Sequence, residues 1–222
     1  METMATSSSP IDAATAYLRE RYASPLFVVL AALLTATGFA ISPGEAGPAA
    51  LFRSLAIAFL LVLSFRIGDD LADAPRDRVR HPDRVLVRAP ERGPFIALLA
   101  ATTALAVAII ATAPQPFARL IAIGGAALVL GAWYAARGDA KPLVAAHVVL
   151  AKYPVIALAA APAFPRSVTG SVVAILAALY AVLCAYETFH DPVLRGSPAA
   201  RRLALLEAVL VAPLLLLGGL LR

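Results

Sequence analysis

The sequence predicts an all-α membrane protein: a polytopic bundle of about seven transmembrane helices making a single membrane domain over residues 1–222. Three observations predict it. Hydrophobic residues make up 61% of the chain and charged residues 15%, where a soluble domain has about 45–50% and about 25%. Mean hydropathy is +0.82. The apolar residues gather into stretches close to the ~20 needed to cross the hydrocarbon core, with none of the sustained alternation of a membrane barrel.

Residues 1–24 read as a cytoplasmic N-terminal segment without the basic region and cleavage site of a signal peptide. Ser9 and Pro10, followed by Asp12, look like a helix start, with Ser9 as cap. Ile11, Ala14, Leu18 and Tyr22 would then share the apolar face of a short helix lying on the membrane surface. Seven spans follow, at 25–41, 48–67, 95–113, 117–136, 143–162, 168–186 and 203–221. Turn formers separate them, as in Ser42-Pro43-Gly44, Pro114-Gln115-Pro116 and Phe164-Pro165-Arg166. The short break at Pro114-Gln115-Pro116 predicts a tight hairpin of the third and fourth spans.

The net charge of +5 would suggest nucleic acid in a soluble protein, but in a membrane protein it reports orientation. Fourteen Arg and Lys side chains fall on the side of the N-terminus and the even-to-odd loops, and three fall on the other side. The asymmetry predicts a multi-pass protein of the inner (plasma) membrane with a cytoplasmic N-terminus and an external C-terminus. No nucleic-acid partner is expected. Cys184 is the single cysteine, which excludes an intrachain disulfide and a Cys-cluster metal site.

The acids are unevenly spread. Asp69, Asp70, Asp73 and Asp77 stand where the second span leaves the membrane, opening a cytoplasmic Asp/Arg-rich loop at 68–94. On a helix Asp70, Asp73 and Asp77 share a face, where like charges repel unless a cation or neighbouring Arg compensates them. Such carboxylates suit Mg²⁺, which takes one or two of them together with phosphate oxygens and water. Arg66, Arg76, Arg78, Arg80 and Arg84 supply the forked donors that match phosphate. Together they suggest an anionic phosphate headgroup on a lipidic tail. The alternative is a solvated loop whose charges merely neutralise one another. A second cytoplasmic acidic loop, 187–202, begins with Glu187 and Asp191, four residues apart, and Pro192 ends the helix before it.

Within the spans, Lys152 falls in the fifth, where a charge costs at least about 2.5–3.5 kcal/mol, so it is a ligand-facing amine or the partner of a carboxylate such as Glu207. Tyr153 follows it, and Pro154 should kink the helix. His147 reads as an interior hydrogen-bonding residue, because no second His or Cys has metal-ligand spacing. Glu207 either snorkels or faces the mouth.

At these residues the sequence resembles the UbiA superfamily of intramembrane prenyltransferases. That family's first signature, Asn-Asp-x-x-Asp-x-x-x-Asp, is matched by Asp69-Asp70-Leu71-Ala72-Asp73-Ala74-Pro75-Arg76-Asp77, with Asp in the Asn position. Its second acidic signature follows the sixth helix, as Glu187 and Asp191 do here, and Tyr134 with Lys141 resembles the Tyr and Lys that help it hold diphosphate. The resemblance implies a Mg²⁺-dependent transfer of a prenyl group from a prenyl diphosphate to a hydrophobic, aromatic or lipidic acceptor within the membrane lipid. It implies Asp73, Asp77, Lys141 and Tyr134 as catalytic residues and Arg66, Arg76, Arg80, Arg84, Lys152 and Tyr153 as substrate-binding ones. Asp69, Asp70, Asp73, Asp77, Glu187 and Asp191 are the implied Mg²⁺ ligands. The chain departs from the family in having seven spans where the family has nine helices, in Glu at 187, and in Pro75, which predicts Asp77 on a new turn. A non-catalytic relative that binds an isoprenoid or a partner enzyme is the second reading.

Overall fold

The computed structural model describes residues 10–22, 24–42, 47–138, 141–165, 167 and 169–220, and among these it contains helices and no strand. In chain order they are α1 (Pro10–Tyr22), α2 (Leu26–Ile41), α3 (Pro48–Arg80), α4 (Val85–Arg88), α5 (Gly93–Ala111), α6 (Pro116–Ala136), α7 (Pro142–Leu150), α8 (Lys152–Ala160), α9 (Gly170–His190), α10 (Pro192–Arg195) and α11 (Pro198–Leu220). Long apolar stretches have no outside partner for their backbone in lipid, and a helix satisfies N–H and C=O within the segment. Proline opens α3, α5, α6, α7 and α10, in the first turn, where its missing N–H forfeits no helical bond.

Among the described residues five spans are long and apolar enough to cross a membrane: α3, α5, α6, α7 with α8, and α9; taking the pair α1–α2, bent by 71°, as one broken span gives up to six. The last expected span falls in α11, whose final side chains lie outside the described residues, as does Ser9. Only 11% of the apolar window of α6 is buried, and Phe117, Ile121 and Leu128 are 79%, 75% and 76% exposed. A face this apolar suits acyl chains rather than water.

Two expected breaks differ. At 33 residues α3 is about 50 Å long, against a hydrocarbon core of about 30 Å. Residues 68–80, expected in a loop, are instead its last turns, and Asp77 belongs to the same helix as Asp69. Pro75 removes one backbone bond and the helix continues around it. The fifth span is broken at Ala151 into α7 and α8. Pro154, three residues on, has no N–H for the Leu150 carbonyl and its ring crowds that oxygen.

The core sits between α2, α3, α5, α8 and α9, where Leu34, Ile57, Leu61, Ile110, Ile156 and Leu183 meet. A second cluster holds α1 and α4 against α3 and α5 through Tyr17, Ile67, Leu86 and Phe95. Of the expected face of α1, Leu18 and Tyr22 pack on this cluster, and the helix also turns in a residue outside that set. Tyr17 is 1% exposed while Ile11 is 76% exposed, because the helix turns its tyrosine inward to reach a carboxylate of α3. Glu20 of α1 also accepts from the backbone N–H of Val85 at 2.8 Å, capping α4.

At the opposite end of the bundle Arg119 is fully buried. Its Nε donates to the Pro114 carbonyl at 2.9 Å and its guanidinium to the carbonyls of Ala159 and Pro162. It thereby satisfies carbonyls at the end of α8, where a helix has no partners of its own.

Gly38 lets α2 lie directly on α8: a Cβ there would stand 2.9 Å from the Ala157 carbonyl oxygen and 3.0 Å from the Ala161 nitrogen. Small residues at such crossings allow membrane helices to approach closely. Gly38→Ala is expected to destabilise the protein by about 1–3 kcal/mol, read from unfolding in detergent. Gly124→Ala, whose Cβ would meet nothing within 4 Å inside α6, should be neutral or stabilise by up to about 1 kcal/mol.

Candidate functional site

A cleft of about 600 Å³ opens at the end of the bundle where α3 emerges. The fourteen residues that the resemblance implies as catalytic, substrate-binding or Mg²⁺-binding line it, while Arg78 does not: Asp69, Asp70, Asp73 and Asp77; Glu187 and Asp191; Arg66, Arg76, Arg80 and Arg84; Tyr134 and Lys141; Lys152 and Tyr153. Ala145, Ala146, Val149 and Leu150 of α7 make its apolar wall.

With 3.6 residues per turn, the four Asp of α3 lie within an arc of about 100°, with Asp69 and Asp73 on one flank and Asp70 and Asp77 on the other. Asp70, Asp73 and Asp77 were expected to act as one set, but the carboxylates take different partners. Asp70 accepts from the Tyr17 hydroxyl and from Arg21, each at 2.8 Å, and Arg66 stands 3.6 Å away. Asp69 accepts from the Tyr134 hydroxyl at 2.6 Å and pairs with Lys152. Asp73 pairs with Arg137 and Asp77 with Arg84. Four like charges on one arc would repel strongly, and four different stretches of chain each bring a cation to one of them.

Lys152 is 3% exposed and its partner is Asp69, not Glu207. Lys152 opens α8 and lines the cleft beside Asp69. Glu207 pairs instead with His147. Arg76 donates to the Gly138 carbonyl and so braces the turn after α6. Lys141 is exposed at the rim, immediately before α7, and makes no hydrogen bond or ion pair among the described residues.

The second acidic pair does not share a helix. Glu187 lies in α9, whereas Asp191 is the N-cap of α10 and accepts from the N–H groups of Val193 and Leu194 at 2.7 and 3.2 Å. Pro192 forces this change of direction. The Glu187 side chain makes no hydrogen bond or ion pair among the described residues and stands near Asp191, Arg66 and Lys152.

Carboxylate oxygens open to a cation thus belong to Asp73, Asp77, Glu187 and Asp191. Asp69 and Asp70 have both oxygens engaged by protein groups and act as anchors. Three residues that hold the site were not found from the sequence: Tyr17, Arg21 and Arg137. Arg137 follows Tyr134 by three residues, one helical step on the same face, and its guanidinium lies 4.3 Å over that ring; this spacing could have revealed it. Tyr17 and Arg21 carry no local signal, because their partner is on α3.

Breaking the buried Lys152–Asp69 pair strands a carboxylate. Lys152→Met is expected to cost about 3–5 kcal/mol, measured by unfolding in detergent. Adding Asp69→Asn should restore most of the loss, because the neutral amide needs no cation; no recovery in the double variant would contradict the pairing.

No family model, curated protein or solved structure matches the chain. A function has to be argued from the chemistry of the cleft itself.

Proposed function

We propose that the chain is a Mg²⁺-dependent intramembrane prenyltransferase of the UbiA kind, with α11 as a seventh span and the cleft at the cytoplasmic face of the inner membrane. One observation carries the reading. A single cleft gathers six carboxylates and seven Arg and Lys side chains at its mouth and an apolar wall of α7 below it. That combination matches a diphosphate with its cation at the mouth and an isoprenoid tail in the membrane.

The donor chemistry fits Mg²⁺: the oxygens left open are hard carboxylates, and the surrounding cations are placed to bind the phosphate oxygens that complete such sites. Asp73, Asp77, Glu187 and Asp191 would hold the ion, which when bound withdraws charge from the diphosphate and eases its departure. Arg66, Arg76, Arg80, Arg84 and Lys141 bind the remaining phosphate oxygens through charge-assisted bonds. Tyr134 and Lys152 position Asp69 and so fix the inner wall, beside Tyr153. The allylic carbon–oxygen bond breaks with its electron pair leaving on the diphosphate. The acceptor then forms the new bond and releases a proton, while the apolar wall keeps water from the allylic carbon.

A second reading is favoured by the pairs themselves. Lys152 on Asp69 and Arg21 on Asp70 fill positions that bind metal in the resembled family, which suits a protein that holds an isoprenoid diphosphate without turning it over.

The test uses full-length protein in lipid nanodiscs with Mg²⁺ and prenyl diphosphates of graded length, following diphosphate release. Mg²⁺-dependent release is expected, falling on the order of 10²-fold or more in Asp73→Asn. Saturable binding without release would select the second reading, and neither binding nor release would remove both.

A further inference from the structure

We propose that His147, Cys184 and Glu207 form a zinc site that clips α11 to the rest of the bundle. His147 Nε2, Cys184 Sγ and a Glu207 carboxylate oxygen all lie within 4.8 Å of one another, the one such trio among the described residues. They come from α7, α9 and α11, elements far apart in the chain.

The imidazole is oriented as a ligand is oriented. Nδ1 lies 2.8 Å from the Leu143 carbonyl, which can only accept, so Nδ1 donates there, and Nε2, 2.7 Å from the Glu207 carboxylate, is the nitrogen that shares a proton with that carboxylate or takes a metal in its place. A metal-bound histidine is typically fixed in this way through its other nitrogen. The Glu207 carboxylate is engaged on one side only: its second oxygen is buried without a hydrogen-bond partner. A buried acceptor left open is costly and is a position a cation fills. Cys184 is fully buried beside Tyr180, whose hydroxyl donates to the His147 carbonyl at 2.9 Å.

The donor set selects the metal. One thiolate, one imidazole and one carboxylate suit zinc, whereas Mg²⁺ and Ca²⁺ take oxygens. Thiolate and carboxylate together cancel the charge of a dication, which favours the neutral cluster at membrane depth. Zinc with bonds of about 2.0–2.3 Å keeps tetrahedral ligands roughly 3.3–3.7 Å apart, so side-chain rotations of less than about 1 Å assemble it. The clip has a purpose as well, since α11 packs chiefly along α9 and His147 supplies its tie to α7.

The test strips full-length detergent-purified protein with chelator, loads Zn²⁺, desalts it and measures metal by plasma mass spectrometry. One zinc per chain is expected. Co²⁺ in its place should give a near-ultraviolet thiolate-to-metal charge-transfer band. Cys184→Ala should abolish both signals and Glu207→Gln should weaken zinc binding roughly tenfold or more, while Asp73→Asn in the cleft keeps both. Should Cys184→Ala fail to fold, the Co²⁺ band of the parent protein decides by itself. A chain that keeps no zinc, lacks the band, or holds its zinc in Cys184→Ala overturns the site and leaves a plain His147–Glu207 pair. Zinc is read without any prenyl substrate, so the outcome is separate from that of the proposed transferase activity.

Discussion

Four carboxylates on an arc of about 100° at the end of one helix are a repulsion that the fold has to compensate, and the architecture around the cleft is the compensation. Asp70 draws in α1 through Tyr17 and Arg21. Asp69 draws in α6 and α8 through Tyr134 and Lys152. Asp73 takes Arg137 from the end of α6, and Asp77 takes Arg84 from the turn after α3. The bundle core of Leu, Ile and Ala would hold these helices together without them, but it does not specify which helix ends converge. The charged pairs do.

The pairs are not equivalent. Those of Asp69 and Asp70 lie deepest, with Lys152 and Tyr17 nearly without exposure. Breaking a buried pair strands a charge, so these contacts resist exchange with solvent ions or ligands. The Asp73 side chain is 34% exposed and the Arg84 side chain 26% exposed. Their partners Arg137 and Asp77 are 7% and 10% exposed, so each of these pairs has one open side, from which a phosphate or a cation can approach it. The cleft therefore has a fixed floor and an exchangeable rim.

Much of this was legible in the chain. The apolar stretches mark the helices because the solvent they require leaves the backbone no alternative, and Pro154 announces the broken span. The acids and the basic residues around them mark the mouth because charge is scarce elsewhere. What local sequence does not carry is pairing across the fold. Nothing near Lys152 says that its partner is Asp69 rather than Glu207, and nothing near His147 says that Cys184 and Glu207 stand beside it. Spacing rules find ligands on one helix; these three come from three. Pro75 misleads for a simpler reason, since one lost backbone bond near a helix end is too small a cost to stop α3.

The break at Ala151 links the two sites. Pro154 leaves the Leu150 carbonyl without its helical donor, while Ala151 keeps helical backbone angles (φ −60°, ψ −17°) and the span runs on through it. The interruption falls between His147, which meets Tyr180 and Glu207, and Lys152, which meets Asp69. The Tyr180 hydroxyl meets the His147 carbonyl and the Ala151 N–H bonds the same oxygen. One short irregularity thus presents a cation to the α3 carboxylates on its far side and holds an imidazole against α9 and α11 on its near side. Residues 147–152 therefore serve both sites, although no residue is shared between them.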